Sequence, residues 1–351
     1  MNENAILDEA LLALKNNTDI ESGKTNAINK NGNELHYDFA LTLKQRDAIQ
    51  HYHVLIKQRP SLVQLALLID NDKEDIVNDT TTRNDGAKTL LVADYVDTKA
   101  SEFLKNHQCH FIDSVGNAYL NFGSVFVYIT GNKAPKKPAE SKPSRAFQST
   151  GLKLIFNLLC HPDDILNRSY RDLSEICGVS LGSIGWIIND LKAAGYLSLT
   201  ENDQRKWADR NGLIQRWVVA YAEKLRPKLL LGYYKSLQRD WYKTVDPKSF
   251  SASWGGEVAA DHLTHYLKSE FSTIYTDESL GKLVLLNGLK EVPEKSTANV
   301  EVLQKFWHFD NPKTPDLVPP LLVYADLIAS GDSRNMETAN IIYREFLDDH
   351  H

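Results

Sequence analysis

Thiols, imidazoles and carboxylates gather at two places in this 351-residue chain, and a glycine pair marks a third. His107, Cys109 and His110 are soft-metal ligand types, but a strand through them sends alternate side chains to opposite faces, and no fourth ligand is evident for zinc. Glu257, Asp261, His262 and His265 share one helical stretch. Glu257 with Asp261, and Asp261 with His265, have the i,i+4 spacing of acid–base partners, although salt bridges along a helix face use that spacing more often. Trp254-Gly-Gly lacks the Gly-Lys-Ser/Thr of a phosphate loop, so Gly255 and Gly256 read as a place of close helix packing. None of the three places implies a metal, a cofactor or a reaction.

A different set of residues has the chemistry of nucleic-acid contact. Ser180, Gly182, Ser183, Trp186, Asn189 and Lys192 fall on or beside the polar face of one short helical pattern, with Gly185 obliquely placed. Hydroxyls and amides there can meet base edges, and the two glycines let the backbone approach a groove closely. Trp186 suits a sugar or a thymine methyl, and equally a neighbouring domain or a dimer partner. Arg168, Arg171, Arg205 and Lys206 flank the pattern as candidate phosphate ligands; their alternative is the usual one for such side chains, solvated surface charge.

The elements that must position these residues lie between 149 and 199: a helix, a second helix, a Gly-Val-Ser turn, a third helix and a strand. Ser169 followed by Asp172 predicts a capping box for the second helix, and Gly178 stands where a left-handed residue is wanted. Ser180 is placed to cap the third helix, whose buried stripe is Ile184, Ile187, Ile188 and Leu191; Gly195 ends it before a strand at Tyr196–Leu199. Glu201-Asn-Asp-Gln-Arg-Lys206 is the expected wing. This is the grammar of a winged helix-turn-helix, for which double-stranded DNA is the default ligand.

The formal net charge of −6 opposes nucleic-acid binding when taken over the whole chain, but it is unevenly spread. Residues 132–243 carry 19 Lys and Arg against 11 Asp and Glu, a local +8 that leaves −14 elsewhere. Three cysteines, Cys109, Cys160 and Cys177, without C-x-x-C spacing give neither a disulfide framework nor a zinc knuckle, which fits a reducing cytoplasm. No apolar run approaches the roughly 20 residues that cross a bilayer, and the start is not a basic signal sequence.

Before the basic segment, the pattern alternates helix and strand. A helix over residues 2–15 is followed by a polar stretch to residue 33 that reads as loop. Strand-like segments follow at His36–Leu43, His51–Ile56, Thr89–Tyr95, Cys109–Asp113 and Ala118–Ile129, with helices at Pro60–Asn71 and Thr98–Asn106. The expected organisation is α+β and multidomain: an α/β domain over 1–131, a basic Pro/Lys linker over 132–144, a winged helix-turn-helix over 145–210 and a mixed α/β domain over 211–351, closed by a helix at Met336–Leu347.

Several blocks carry a family resemblance: Arg145-Ala-Phe, Leu181-Gly-Ser-Ile-Gly-Trp186, Leu225-Arg-Pro-Lys-Leu-Leu-Leu-Gly232, Trp254-Gly-Gly-Glu-Val-Ala-Ala260, Val318-Pro-Pro-Leu-Leu-Val-Tyr-Ala-Asp-Leu327 and Gly331-Asp-Ser-Arg-Asn335. From about residue 88 to the C-terminus the chain resembles the AbiEi-type antitoxins of type IV toxin–antitoxin systems. The resemblance implies a repressor of its own operon that binds inverted repeats. It also implies a nucleotidyltransferase-like toxin that the protein opposes without necessarily forming a stable complex. In shorter relatives the winged helix stands at the N-terminus; here it lies mid-chain.

The N-terminal α/β segment, ending in Phe111-Ile-Asp-Ser-Val-Gly-Asn-Ala-Tyr-Leu120, resembles a restriction-endonuclease-type fold. That fold's chemistry needs an Asp on one strand and (D/E)-x-K on the next, so that carboxylates hold Mg²⁺ beside a lysine. Asp38 stands for the first acid, but Leu55-Ile56-Lys57 puts an apolar residue where the second should be. The domain is therefore expected to be catalytically inert. Asp113 reads as a turn residue, with Gly116 and Asn117 supplying unusual backbone angles.

These readings converge on a cytoplasmic, homodimeric repressor without metal or cofactor, since one winged helix reads too few base pairs for operator specificity and two half-sites correct this. Two alternatives accompany it. A metal-dependent nuclease steered by the winged helix would cleave plasmid DNA with Mg²⁺ or Mn²⁺ and lose that activity in Lys57→Ala. A plasmid or mobile-element replication or maintenance protein would have iterated repeats beside its gene.

Overall fold

A computed structural model describes residues 3–25, 39–69, 87–133, 145–161, 165–238, 240–277, 280–309 and 314–348. The chain divides into two compact units, Met1–Ala139 and Glu140–His351.

In the first unit, α1 (Glu3–Asn17) precedes a seven-stranded sheet of β1 (Glu21–Thr25), β2 (Phe39–Gln45), β3 (Ala48–Lys57), β4 (Lys88–Ala93), β5 (His110–Asp113), β6 (Ala118–Phe122) and β7 (Val125–Ile129). The spatial order is the sequence order. β3, β4 and β5 are mutually parallel, so their connections must cross over; α2 over 62–69 stands in the first connection and α3 (Thr98–Asn106) in the second. The remaining pairs are antiparallel.

Alternation along each strand gives the sheet two buried faces. Tyr52, Val54 and Ile56 of β3, with Leu90 and Val92 of β4 and Ile112 of β5, pack against Ile6, Leu7, Ala10 and Leu14 of α1. Leu55, Leu91 and Phe111 occupy the alternate positions and are buried too.

The stretch expected to be loop up to residue 33 contains β1, which pairs antiparallel with β2 from Glu21 opposite Lys44 to Thr25 opposite Ala40. β1 is an edge strand with Glu21, Ser22 and Gly23 exposed. Its backbone ladder holds it in place, and no apolar alternation is needed to do so. Residues 36–38, 70 and 71, and all of the linker beyond residue 133, lie outside the described residues.

The second unit begins with a 3-10 turn (Arg145–Phe147), α4 (Ser149–Cys160), α5 (Tyr170–Cys177), α6 (Leu181–Ala193) and a two-stranded hairpin of β8 (Leu197–Leu199) and β9 (Arg205–Trp207). It continues through α7 (Arg210–Ala220), a π-helical turn (Tyr221–Leu225) and a turn of α-helix (Arg226–Leu229) into a five-stranded sheet. That sheet comprises β10 (Leu230–Lys235), β11 (Ala252–Gly255), β12 (Ser272–Thr276), β13 (Lys290–Val292) and β14 (Val300–Gln304), in the order β11-β12-β14-β10-β13. Helices α8 (Gly256–Thr264), α9 (Leu280–Leu286), α10 (Pro320–Ser330) and α11 (Ser333–Ile342) accompany it, and a π turn (Tyr343–Leu347) follows α11.

The helical part of this unit shares a core with the sheet part. Phe156 of α4 stacks on Trp217 of α7 at 5.4 Å and meets Phe306 at 4.9 Å, and the Trp217 indole N–H donates to the Leu152 carbonyl at 2.9 Å. Among the described residues no helix is long and apolar enough to cross a membrane.

Candidate nucleic-acid interface

The interface is set by how α5 hands over to α6. Ser169 Oγ accepts from the Asp172 N–H at 3.2 Å while Asp172 accepts from the Ser169 N–H at 3.3 Å, the reciprocal capping that the spacing predicts. Gly178 ends α5 in the left-handed region at φ 61°. Val179 is then buried, its N–H donating to the Ser174 carbonyl at 3.2 Å and its own carbonyl accepting from Ser174 Oγ at 2.6 Å. With the turn locked at both ends, α6 buries Ile184, Ile187, Ile188 and Leu191 and packs on α4 and α5.

Of the expected contact residues on α6, Gly182, Trp186 and Asn189 are exposed and Ser183, Gly185 and Lys192 half-buried; Leu181 and Ala193 at the helix ends are exposed as well. Trp186 is 59% exposed, and the Arg145 guanidinium of the preceding 3-10 turn lies 5.0 Å from its ring centroid. A Cβ at Gly182 would meet nothing within 4 Å, whereas one at Gly185 would lie 3.5 Å from the Tyr170 ring. Gly182 therefore keeps the surface low, while a Cβ at Gly185 would sit in ordinary contact with α5.

Ser180 departs from expectation. It occupies the N-cap position, but no side-chain capping bond forms; its hydroxyl pairs with Ser183 Oγ at 2.8 Å, and its carbonyl accepts from the Ser183 N–H at 2.8 Å. A second hydroxyl three residues on competes for the oxygen that would otherwise cap.

The hairpin pairs Leu197 with Trp207, Ser198 with Lys206 and Leu199 with Arg205. At its tip the Thr200 N–H donates to the Gln204 carbonyl at 2.8 Å, and Asp203 takes a positive φ of 58°. Lys206 is exposed, as are Arg168 and Arg171. Arg205 is half-buried: its guanidinium donates to the Arg168 carbonyl and lies 5.5 Å from the Tyr170 ring centroid. Asn167 brackets the same residue, Oδ1 accepting from the Arg205 N–H at 2.7 Å and Nδ2 donating to its carbonyl at 3.0 Å. Arg205 thus ties the hairpin to the start of α5, a role that its position in a basic wing does not reveal.

Other expected chemistry is redistributed. Leu55 is 5% exposed and lies opposite Leu91, while Lys57 is exposed at the end of β3; Asp38 lies outside the described residues. Asp113 is fully buried, and its two oxygens accept from the amides of Val96, Val115 and Asn117 and from Asn117 Nδ2, at 2.7–3.1 Å. Gly116 supplies the positive φ of that turn, 90°. Asn117 contributes a side chain instead of the unusual backbone angle expected of it, and also accepts from the Asn132 N–H at 3.0 Å.

His110 pairs through Nδ1 with Tyr52 Oη at 2.8 Å and accepts from the Asn121 N–H at Nε2. That acceptor role requires a neutral ring with the proton on Nδ1. Burial, reinforced by the Lys88 charge, pushes its pKa down to about 4. Among the described residues no three His, Cys, Asp or Glu side chains converge as metal ligands would.

Glu257 makes no i,i+4 pair with Asp261. It accepts from the amides of Glu270 and Phe271 and from Asn335 Nδ2, and faces Arg334 at 3.6 Å, while His265 lies beyond α8 at φ 53°. The loop after α8 and helix α11 offer Glu257 N–H donors, which Asp261, itself a carboxylate, cannot supply.

Among the described residues, a buried charge cluster that was not legible as a site gathers around Arg226. Arg226 donates to Glu301 and, at 2.9 Å, to Asp326; Thr273 Oγ1 donates to Glu301 at 2.9 Å, and Tyr275 donates to Asp326 at 2.8 Å with Tyr221 beside it at 3.1 Å. Burial raises Asp326 above the usual carboxylate range; burial also acts on Glu301, but the Arg226 guanidinium outweighs it and holds Glu301 low. Glycine is required at 255, where a Cβ would come within 2.7 Å of the Tyr275 ring, and Gly256 at φ 48° would put one 2.6 Å from Thr273 Oγ1. The close packing expected at Gly255 and Gly256 is therefore packing around a charge lock that fastens the turn after α7 to β12, β14 and α10.

By class, the chain is a mixed α/β protein of two compact units, the second combining a helical module and hairpin with a five-stranded sheet. Residues 206–348, less than half of the 351, match the family model described as a transcriptional regulator, the AbiEi antitoxin of type IV toxin–antitoxin systems. The matched family is regulatory, not catalytic. The match begins in β9, so it is narrower than the resemblance expected from about residue 88, and α4, α5 and α6 lie outside it. No curated protein and no solved structure matches the chain.

Proposed function

We propose that this protein is a sequence-specific, double-stranded-DNA-binding transcriptional repressor, acting in the cytoplasm as a homodimer on an inverted repeat in its own operon. Residues 145–210 serve as the winged helix-turn-helix, with α6 as the recognition helix and the β8–β9 hairpin as the wing. Residues 211–351 supply the antitoxin function, opposing a nucleotidyltransferase-like toxin without requiring a stable complex with it. Residues 1–131 act as a nuclease-like unit without nuclease chemistry, because a buried leucine at 55 cannot ligate a hard cation.

The observation that carries this reading is the outward face of α6: Gly182, Ser183, Trp186, Asn189 and Lys192 are presented beside exposed Arg168, Arg171 and Lys206. Ser183 and Asn189 have donors and acceptors for base edges, while the basic residues neutralise phosphates. The family match to a transcriptional regulator supports it independently.

Footprinting on the region upstream of the gene, over a salt series, tests it. The expected result is two protected half-sites about 10 base pairs apart centre to centre, or a multiple of that, with affinity falling steeply as salt rises. A purified chain that fails to retain duplex DNA even in dilute buffer would refute the proposal.

A further inference from the structure

Arg145 opens the 3-10 turn ahead of α4 and is itself exposed, whereas Ala146 and Phe147 behind it are buried. The turn is fastened to α6, since the Ala146 N–H donates to Asp190 Oδ2 at 3.2 Å. Phe147 is held in turn by Tyr196 at 6.0 Å and by the Arg216 guanidinium at 5.1 Å. On this anchored base the Arg145 guanidinium lies over the indole of Trp186, 5.0 Å from the ring centroid. Among the described residues no carboxylate pairs with Arg145, and Trp186 stays largely open to solvent.

The geometry points to Arg145 and Trp186 as one composite contact for the sugar–phosphate backbone of duplex DNA, at the rim of the groove that α6 would enter. This rests on the DNA-binding reading above and adds a residue that reading does not contain. A guanidinium stacked on an aromatic face keeps its N–H edge free for two phosphate oxygens, and the stacking removes rotamer freedom before the DNA arrives. The indole offers a flat apolar surface of the kind a deoxyribose packs on. A backbone contact fits better than a base contact because Arg145 arrives from a neighbouring turn, beside the helix and not along it.

The test uses the full chain, the upstream fragment of its own gene and an unrelated duplex spanning about two helical turns. Arg145→Ala is expected to lower affinity for both duplexes alike, roughly tenfold at 0.1 M salt, and to flatten the log–log salt slope by about 1.8, or about 0.9 for each protomer of the bound dimer. Arg145→Lys keeps the charge and loses the fork, so it should restore the slope but only part of the affinity. Trp186→Ala is expected to cost about two- to fivefold in the wild-type background and less than half of that in Arg145→Ala, where only its sugar contact is left to lose. Both side chains are exposed, so melting temperatures should not move and a folding defect cannot imitate these effects.

Fully additive losses, or a loss confined to the upstream fragment, would overturn the composite backbone contact while leaving DNA binding intact. Wild-type protein that binds neither duplex would instead refute the parent reading.

Discussion

The buried imidazole of His110 should make the first unit sensitive to acid. His110 is 4% exposed, with Nε2 accepting from the Asn121 amide and Nδ1 paired with Tyr52, so the fold holds the ring neutral. Its folded pKa lies at about 4, against 6.5 in an unfolded chain. Below pH 6.5 the unfolded chain takes up a proton that the folded chain refuses, so the stability His110 contributes falls with pH until the folded ring also protonates near pH 4; Asp113, raised by burial, acts in the opposite sense, in the wild type and in a His110 variant alike. For these two values the loss is about 2 kcal/mol at pH 5 and about 3 kcal/mol near pH 4.

Native-state hydrogen exchange of amides in β4, β5 and β6 of the full chain, corrected for intrinsic rates, reads the opening of this unit whatever the other unit does. His110→Gln removes the titration, so its protection should change between pH 7.5 and pH 5 by about 2 kcal/mol less than that of the wild type. Parallel changes in the two proteins would show that His110 is not held neutral, and the assignment of its ring nitrogens would fall with it.

Three further outcomes follow from the second unit. Gly178→Ala should destabilise it by about 1–2 kcal/mol, because the cost lies in the left-handed φ of 61° and not in crowding, the nearest side-chain atom being His308 Nε2 at 3.5 Å from a new Cβ; thermal unfolding measures this. Lys206→Ala should weaken binding to all duplexes and flatten the salt slope without changing the melting temperature. Arg205→Ala should also loosen the hairpin, by about 1 kcal/mol, through loss of its bond to the Arg168 carbonyl; salt-series affinities beside melting curves separate the two. Asp326→Ala leaves the buried Arg226 with Glu301 alone and should cost about 3–5 kcal/mol in urea unfolding; a cost under 1 kcal/mol would show that the cluster is not a lock.

The helical module was readable because its determinants are local. The Ser169–Asp172 box, Gly178 and the Ile184-Ile187-Ile188-Leu191 stripe each act within a few residues, so spacing alone specifies them. β1 escaped because an edge strand of Glu, Ser, Gly, Lys and Thr is held by its neighbour's backbone. Arg145 and Trp186 meet only after α4 and α5 have folded between them, and Arg226, Glu301 and Asp326 compensate one another only in three dimensions. Charges are ordinarily placed outside when a sequence is read, and nothing local marks these three as the exception. The same limit explains Glu257, whose partners lie on the loop after its helix and on α11.

The two sheets also impose different timetables on synthesis. Every strand from β1 to β7 finds its partner next along the chain, so the first sheet can be completed while later residues are still inside the ribosome. β10 has no such neighbour: it emerges early and must wait for β13 and β14, and β14 must then slot in parallel beside β12. The segment that matches a regulator family is thus the part whose sheet closes last, after synthesis of nearly the whole polypeptide.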